Sequence, residues 1–248
     1  MEIKELLSHL EARAQAAEKR SKEAQAEVRY LLRDMKISID AISAVDRIGS
    51  ERAEYYQREA ARAELREQSG GDDSYLSDLQ MRLTLGTVDE RTRTRVTQLI
   101  NKTNQFNLTT KRTTQAEVEQ RERDSEWFQL WARLEDRFGD NGIIAAITCA
   151  RDPQAWTIDT FVMSCRVLGR HVEAALMREL SARAAEAGAR VVRGRYLPTD
   201  RNGIVADLYE RLGFRKVAGG PEGTEWELDV TAIATDPLPL SVVQIGRA

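Results

Sequence analysis

The chain has 248 residues with 31% charged and a formal net charge of −3. That is enough for one medium domain plus an appendage, without the basic excess of a nucleic-acid binder. Two cysteines (Cys149, Cys165) and two histidines (His9, His171) exclude a disulfide framework and argue against a zinc site or a histidine-based triad, so no metal is expected.

No run approaches 18 apolar residues, and residues 1–5 begin without a long apolar stretch. Neither a membrane span nor a signal peptide is expected, and free thiols suit a reducing cytoplasmic location. Residues 1–48 are rich in Glu, Lys, Arg and Ala, all good helix formers. Ile3, Leu7, Leu10, Ala14, Ala17, Ser21, Ala24, Val28, Leu31, Met35, Ser38, Ile42 and Val45 follow the 3–4 spacing of a heptad seam. Two readings fit: a helix packed on its own chain, or a coiled coil that makes a homodimer or docks on a partner. Ser50 can cap a second helix over Glu51–Gln68 that Gly70-Gly71 stops. Residues 49–79 thus read as a helical linker, with a short turn over Asp72–Asp78.

From Gln80 the period changes from helical to alternating. Met81, Leu83 and Leu85 predict a half-buried strand. Asp89 caps a helix to about Thr103 with Val96, Leu99 and Ile100 on one face, and Thr114 caps another over Gln115–Asp124. Between them Asn104–Thr110 reads as a polar loop. Strands Trp127–Glu135, Gly142–Ala150 and Trp156–Met163 form a meander with turns at Phe138–Gly142 and Asp152-Pro153. A helix from Gly169 to Ala187, a strand at Arg190–Tyr196, a helix at Asn202–Leu212 and strands at Arg215–Ala218 and Thr224–Val230 complete a domain over 80–231. Residues 232–248 read as a tail. The expected class is α+β: a mixed, mostly antiparallel sheet flanked by helices, behind an N-terminal helical segment.

Two stretches carry chemistry. In Cys165-Arg166-Val167-Leu168-Gly169-Arg170-His171 a strand runs into a helix through a glycine turn, where bare amides and the helix dipole suit a diphosphate. A purely structural turn fits it equally. The second is Asn202-Gly203-Ile204-Val205-Ala206-Asp207-Leu208-Tyr209-Glu210-Arg211-Leu212-Gly213-Phe214. Together they resemble the GNAT superfamily, whose acetyl-CoA loop reads Arg/Gln-x-x-Gly-x-Gly/Ala and whose last helix reads Asn…Ala…Tyr-Glu-x-Leu-Gly-Phe. His171 departs from the pattern, standing where a small residue lets the backbone approach the ligand.

A longer resemblance covers residues 51–217. Thr97–Thr110, Asp136-Arg137-Phe138-Gly139-Asp140-Asn141-Gly142, Ile158–Arg170 and Tyr209–Phe214 look like the C-terminal half of FkbH-like proteins, the HAD-superfamily type IIIC family of polyketide and related pathways. Full members carry an Asp-x-Asp-x-Thr loop that this chain lacks, so their glyceryl transfer and phosphatase chemistry are not carried over.

The resemblance implies acyl transfer from acetyl-CoA, another acyl-CoA or a phosphopantetheine thioester on an acyl carrier protein to a small-molecule acceptor. The amides from Val167 to His171, with Arg166 and Arg170, would hold the diphosphate, and Asn202 would orient the pantetheine arm or the helix start. Asp159 or Asp140 would take the acceptor's proton and Tyr209 would protonate the departing thiolate. Asn104, Gln105, Asn107 and Thr109 would frame the acceptor. Each has a structural alternative: Asp140 in a turn, Asp159 on the strand surface, Tyr209 packed on the sheet, the polar group packing its own loop. Cys165 reads as a small buried residue without a histidine partner. The competing reading of the chain is a non-catalytic module that docks on a carrier protein, a synthase or itself.

Overall fold

The computed structural model describes residues 54–245. The heptad seam, the Ser50 cap and the homodimer reading lie outside the described residues. The chain divides into two units, Met1–Ala60 and Ala61–Ala248. Residues 54–68 are helical (α1). In the first unit Arg58 and Glu54 pair along the helix at 2.9 Å.

The second unit follows the expected α+β pattern. Helix α2 (Asp72–Asp78) precedes strand β1 (Met81–Thr87), then come helices α3 (Glu90–Lys102) and α4 (Gln115–Arg123). Both caps predicted from sequence form. Asp89 accepts from the Thr92 amide and Thr114 from the Glu117 amide, each with the reciprocal bond of a capping box. Strands β2 (Trp127–Asp136), β3 (Gly139–Arg151) and β4 (Ala155–Met163) form the meander. Helix α5 (Val172–Glu186), strand β5 (Val191–Tyr196), the short helix α6 (Leu208–Arg211), and strands β6 (Arg215–Gly220), β7 (Gly223–Asp229) and β8 (Leu240–Ile245) follow.

The eight strands lie in the order β6-β7-β5-β4-β3-β2-β1-β8. Only the β4–β5 and β1–β8 pairs are parallel. One core packs α5, α6 and α2 on one face, with Leu176, Met177 and Leu180 fully buried. Such side chains each contribute about 1.5–3 kcal/mol of transfer free energy. On the other face Val96, Leu99 and Ile100 of α3 and Val118 of α4 pack on Trp131, Ile143, Ala146 and Val162.

Several expectations need correction. The β2–β3 hairpin closes tightly, with Asp136 opposite Gly139, so Asp140–Gly142 belongs to β3 rather than to a long turn. Asn202–Leu212 is not one helix but a 3-10 turn at Gly203–Val205 followed by α6. The tail holds β8, whose Val242 and Val243 pair with Leu83 and Thr84 of β1. Its β-branched run was readable as a strand. The helix expected from Gly169 begins at Val172, after a 3-10 turn at Cys165–Val167.

One feature of the sheet places the cleft. β4 and β5 pair only from Ala155↔Val191 to Thr157↔Arg193. Beyond that they separate, and Phe106-Asn107-Leu108 enters the opening. The Leu108 amide donates to the Phe161 carbonyl (3.4 Å), the Met163 amide to Phe106 (3.1 Å) and the Leu197 amide to Leu108 (2.8 Å). All three inserted residues are buried. The segment expected to be a loop is thus a short, paired insert that satisfies the backbone of β4 where β5 leaves it.

Candidate functional site

At the end of β4 lies a cleft of about 600 Å³, within the usual range for small-ligand sites. The C-terminal half of α3 supplies Arg95, Gln98 and Lys102, the following loop Asn104 and Gln105, the turn after β4 Ser164, Cys165 and Arg166, and the loop after β5 Asp200 and Arg201. Four cations, Arg95, Lys102, Arg166 and Arg201, face one carboxylate, Asp200. Among the described residues the side chains of Arg95, Lys102 and Arg201 form no ion pair. Arg166 donates to the Ser164 hydroxyl at 3.2 Å. On a chain of net charge −3 this is a local reversal of sign, and such a concave patch draws anions.

The turn whose first residues, Ser164, Cys165 and Arg166, line the cleft has an unusual backbone. Gly169 has φ 72° and His171 φ 59°, both left-handed. For histidine that conformation costs about 1–2 kcal/mol. His171 is the residue before the first turn of α5 and is exposed, as expected of a helix-start residue. The amides of Val167 and Leu168 are used within the turn, by the carbonyls of Ser164 (3.2 Å) and Cys165 (3.4 Å). The amides of Gly169, Arg170 and His171 have no backbone partner among the described residues, so the donor set shrinks to three. Arg170 turns the other way: its guanidinium is buried on Asp136 at 3.0 Å, so only its backbone faces outward. Cys165 is exposed and lines the cleft, against the expectation of a buried residue.

The three residues expected to move protons are elsewhere. Tyr209 lies in the core, 1% exposed, against Phe214 and Trp226. Its ring crosses β5 at Gly194, where an added Cβ would stand 2.3 Å from the ring. The hydroxyl has no hydrogen-bond partner of normal geometry. Burial pushes the phenol well above its ordinary value, the Cys149 thiol adds to this, and the Arg195 backbone offsets little. A group that holds its proton so tightly, away from the cleft, cannot serve as the acid there. Asp159 is ion-paired with Lys111 and with Arg121 (3.2 Å) and accepts from Thr160 (3.2 Å), leaving it poorly placed as a free base. Asp140 is held by Arg133 at 3.0 and 2.6 Å and accepts from the Gly142 amide. It lies five residues along β3 from Ala145, the partner of Met163, hence about 15 Å from the cleft end of β4.

Asn202 is fully buried and saturated. Its Nδ2 donates to the carbonyls of Asn107 (2.9 Å) and Leu197 (2.8 Å), and its Oδ1 accepts from the Thr199 amide (2.7 Å) and the Tyr196 hydroxyl (3.4 Å). It fastens the inserted segment to the loop after β5 rather than offering a polar atom to a ligand. Asn107 accepts from the Thr110 amide at 2.8 Å and is buried, and Thr109 donates to the Asp159 carbonyl at 2.9 Å. Of the four expected acceptor contacts, Asn104 and Gln105 line the cleft and Asn107 and Thr109 pack the loop. Asn104 also accepts from Arg112.

Sequence reasoning missed Arg95, Lys102, Arg201 and Asp200. The first two are exposed on α3 and flank Leu99 at the cleft, and the last two precede Asn202. Nothing but the fold brings them together. Among the described residues no group of three or more His, Cys, Asp or Glu could hold a metal ion, and no helix is long and apolar enough to cross a membrane.

No protein-family model and no curated protein matches the sequence. Among solved structures, the GNAT domain of S. lividans PAT aligns over 58% of this chain and 89% of its own at 15% identity, with a TM-score of 0.47. The ribosomal-protein-S18-alanine N-acetyltransferase from Escherichia coli aligns over 62% and 98% at 10% identity, TM-score 0.46. An aminoglycoside 6'-N-acetyltransferase complexed with coenzyme A aligns over 59% and 96% at 13% identity, TM-score 0.45.

Proposed function

We propose that this chain is a GNAT-type acyltransferase that takes an acyl group from acyl-CoA, or from a phosphopantetheine thioester on an acyl carrier protein, and passes it to a small-molecule acceptor in polyketide-like specialised metabolism. The observation that carries this reading is the cationic cleft at the end of β4, lined by Ser164, Cys165 and Arg166 of the turn that goes on to the open amides of Gly169, Arg170 and His171. Cations and outward-facing amides are what a diphosphate-bearing carrier requires.

The chemistry rests on positioning more than on a proton donor. In aminolysis of a thioester the acceptor nitrogen forms the new bond to the acyl carbon and the carbon–sulfur bond breaks. With Tyr209 in the core, sulfur leaves as thiolate and takes its proton from water. A thiol of ordinary pKa, about 8.5, is a competent leaving group near neutral pH. The acceptor's proton goes to Asp200, the one carboxylate that lines the cleft, or to water held by it.

The alternative, a non-catalytic module that binds a carrier, is favoured by the burial of Tyr209 and by the insertion of Phe106–Leu108 between β4 and β5. Turnover separates the two. Release of free thiol from acetyl-CoA, followed with a panel of amines, is expected above background and is expected to fall about 10²-fold in Asp200→Asn with CoA affinity unchanged or tighter. CoA binding without thiol release for any acceptor would favour the module.

A further inference from the structure

The turn that offers the amides is tied to a distant helix by a buried carboxylate. Asp136 ends β2, and its side chain is fully buried. It accepts from both ends of the Arg62 fork, Nε and Nη2, at 2.9 Å each, and from Arg170 Nη1 at 3.0 Å. The Phe138 amide (3.0 Å) and Asn141 Nδ2 (3.4 Å) complete its shell. Arg62 belongs to α1 and stacks on Phe138 with its guanidinium carbon 5.8 Å from the ring centre. Arg170 belongs to the turn. One carboxylate therefore joins three segments that the chain order keeps far apart.

The geometry of the turn makes this link more than packing. Arg170 stands between two left-handed residues, Gly169 and His171, both exposed, while its own side chain is drawn inward. A histidine persists in that backbone region only when its surroundings over-determine it. The inward pull on Arg170 is such a determinant: with the guanidinium fixed on Asp136, the backbone on either side has to bulge outward, and the amides of 169–171 stay free of intrachain partners. Arg62 matters because a bidentate fork fixes the carboxylate plane, and that plane decides where Arg170 can reach.

We propose that Asp136 is a positioning residue for the ligand-binding turn, and that α1 sets the conformation of that turn through Arg62, Asp136 and Arg170. The proposal rests on the reading that the turn binds the thioester carrier, but the coupling itself can be read without ligand. Hydrogen–deuterium exchange of peptides covering residues 164–172 is compared in the wild-type chain, Arg62→Met and Arg62→Lys, with peptides from residues 143–150 of β3 as an internal reference. Arg62→Met is expected to speed exchange of the bonded amides of Ser164, Val167 and Leu168 within those peptides by about ten-fold and leave β3 unchanged. Arg62→Lys keeps the charge but loses the fork, stays folded if Arg62→Met does not, and is expected to give an intermediate rate. Unchanged exchange in the turn of both variants, while residues 61–68 exchange faster, would overturn the coupling.

A second arm uses coenzyme A as probe. Arg62→Met is expected to weaken its binding about ten-fold, although residue 62 does not line the cleft. Equal affinity in wild type and variant would overturn the positioning role. If the wild-type chain binds no coenzyme A, the proposed function falls, and the exchange data alone decide the coupling.

Discussion

Arg201 and Asn202 are adjacent in the chain and do opposite things. Asn202 is buried with each amide atom bonded to another part of the protein, whereas Arg201 is exposed on the cleft with no ion pair among the described residues. Asn107 and Asn104 differ in part the same way: Asn107 is buried in the junction, whereas Asn104 lines the cleft with its oxygen on Arg112 and its Nδ2 without a hydrogen bond among the described residues. Polar residue type therefore says little about where a ligand goes. What distinguishes the two regions is satisfaction: the junction around Asn107 and Asn202 has completed its hydrogen bonding, and the rim has not.

That contrast yields tests of graded size. The largest effect is expected where satisfied groups are charged and buried. Asp136→Asn removes the counter-charge that Arg62 and Arg170 share and is expected to cost about 3–5 kcal/mol in a denaturant titration. The effect has a pH signature. Burial alone would raise the Asp136 carboxyl, but the hydrogen bonds and charge of Arg62, the Phe138 amide and the Arg170 charge outweigh it and hold the group below its usual range. Its contribution is thus complete above the unfolded value of about 3.9 and is lost as pH falls through the lower folded value. The gap in stability between wild type and Asp136→Asn should accordingly narrow below about pH 4. A gap that stays constant through acid would show that charge on Asp136 is not what holds it.

A smaller loss is expected at the neutral junction. Asn202→Ala strips partners from the carbonyls of Asn107 and Leu197 and from the Thr199 amide. Thermal or denaturant unfolding should show a loss of about 2–3 kcal/mol. A change of only a few tenths would mean that water replaces the side chain and that the junction is not closed.

Much of the fold was legible. Alternation at Met81–Leu85, the capping residues Asp89 and Thr114, and the apolar stripe of Val96, Leu99 and Ile100 are local signals that the tertiary structure left in place. The start of α5 was misread because Gly169 looked like a helix-start glycine. In fact two left-handed residues and an anchored Arg170 delay the helix to Val172. The site was less legible. The Asp136–Gly142 run drew notice to Asp140, but the buried acid is Asp136, since strand alternation and the tight hairpin decide which side chain points inward. Tyr209 carries the expected motif, yet Gly194 opens a slot that takes its ring into the core. The rim cations come from α3, the turn after β4 and the loop after β5, and no local pattern in sequence links them.

The smallest change in structure should give the sharpest test. Lys102 and Arg201 are exposed and their side chains make no hydrogen bond or ion pair among the described residues, so Lys102→Glu and Arg201→Glu should leave stability within about 0.5 kcal/mol of wild type. Calorimetric titration of coenzyme A into wild type and the double variant, at low and at high salt, addresses the central claim directly. Micromolar binding that weakens as salt rises, and falls at least ten-fold when the two charges are reversed, is the expected result. Binding indifferent to both salt and charge reversal, or no binding at any ionic strength, would contradict it.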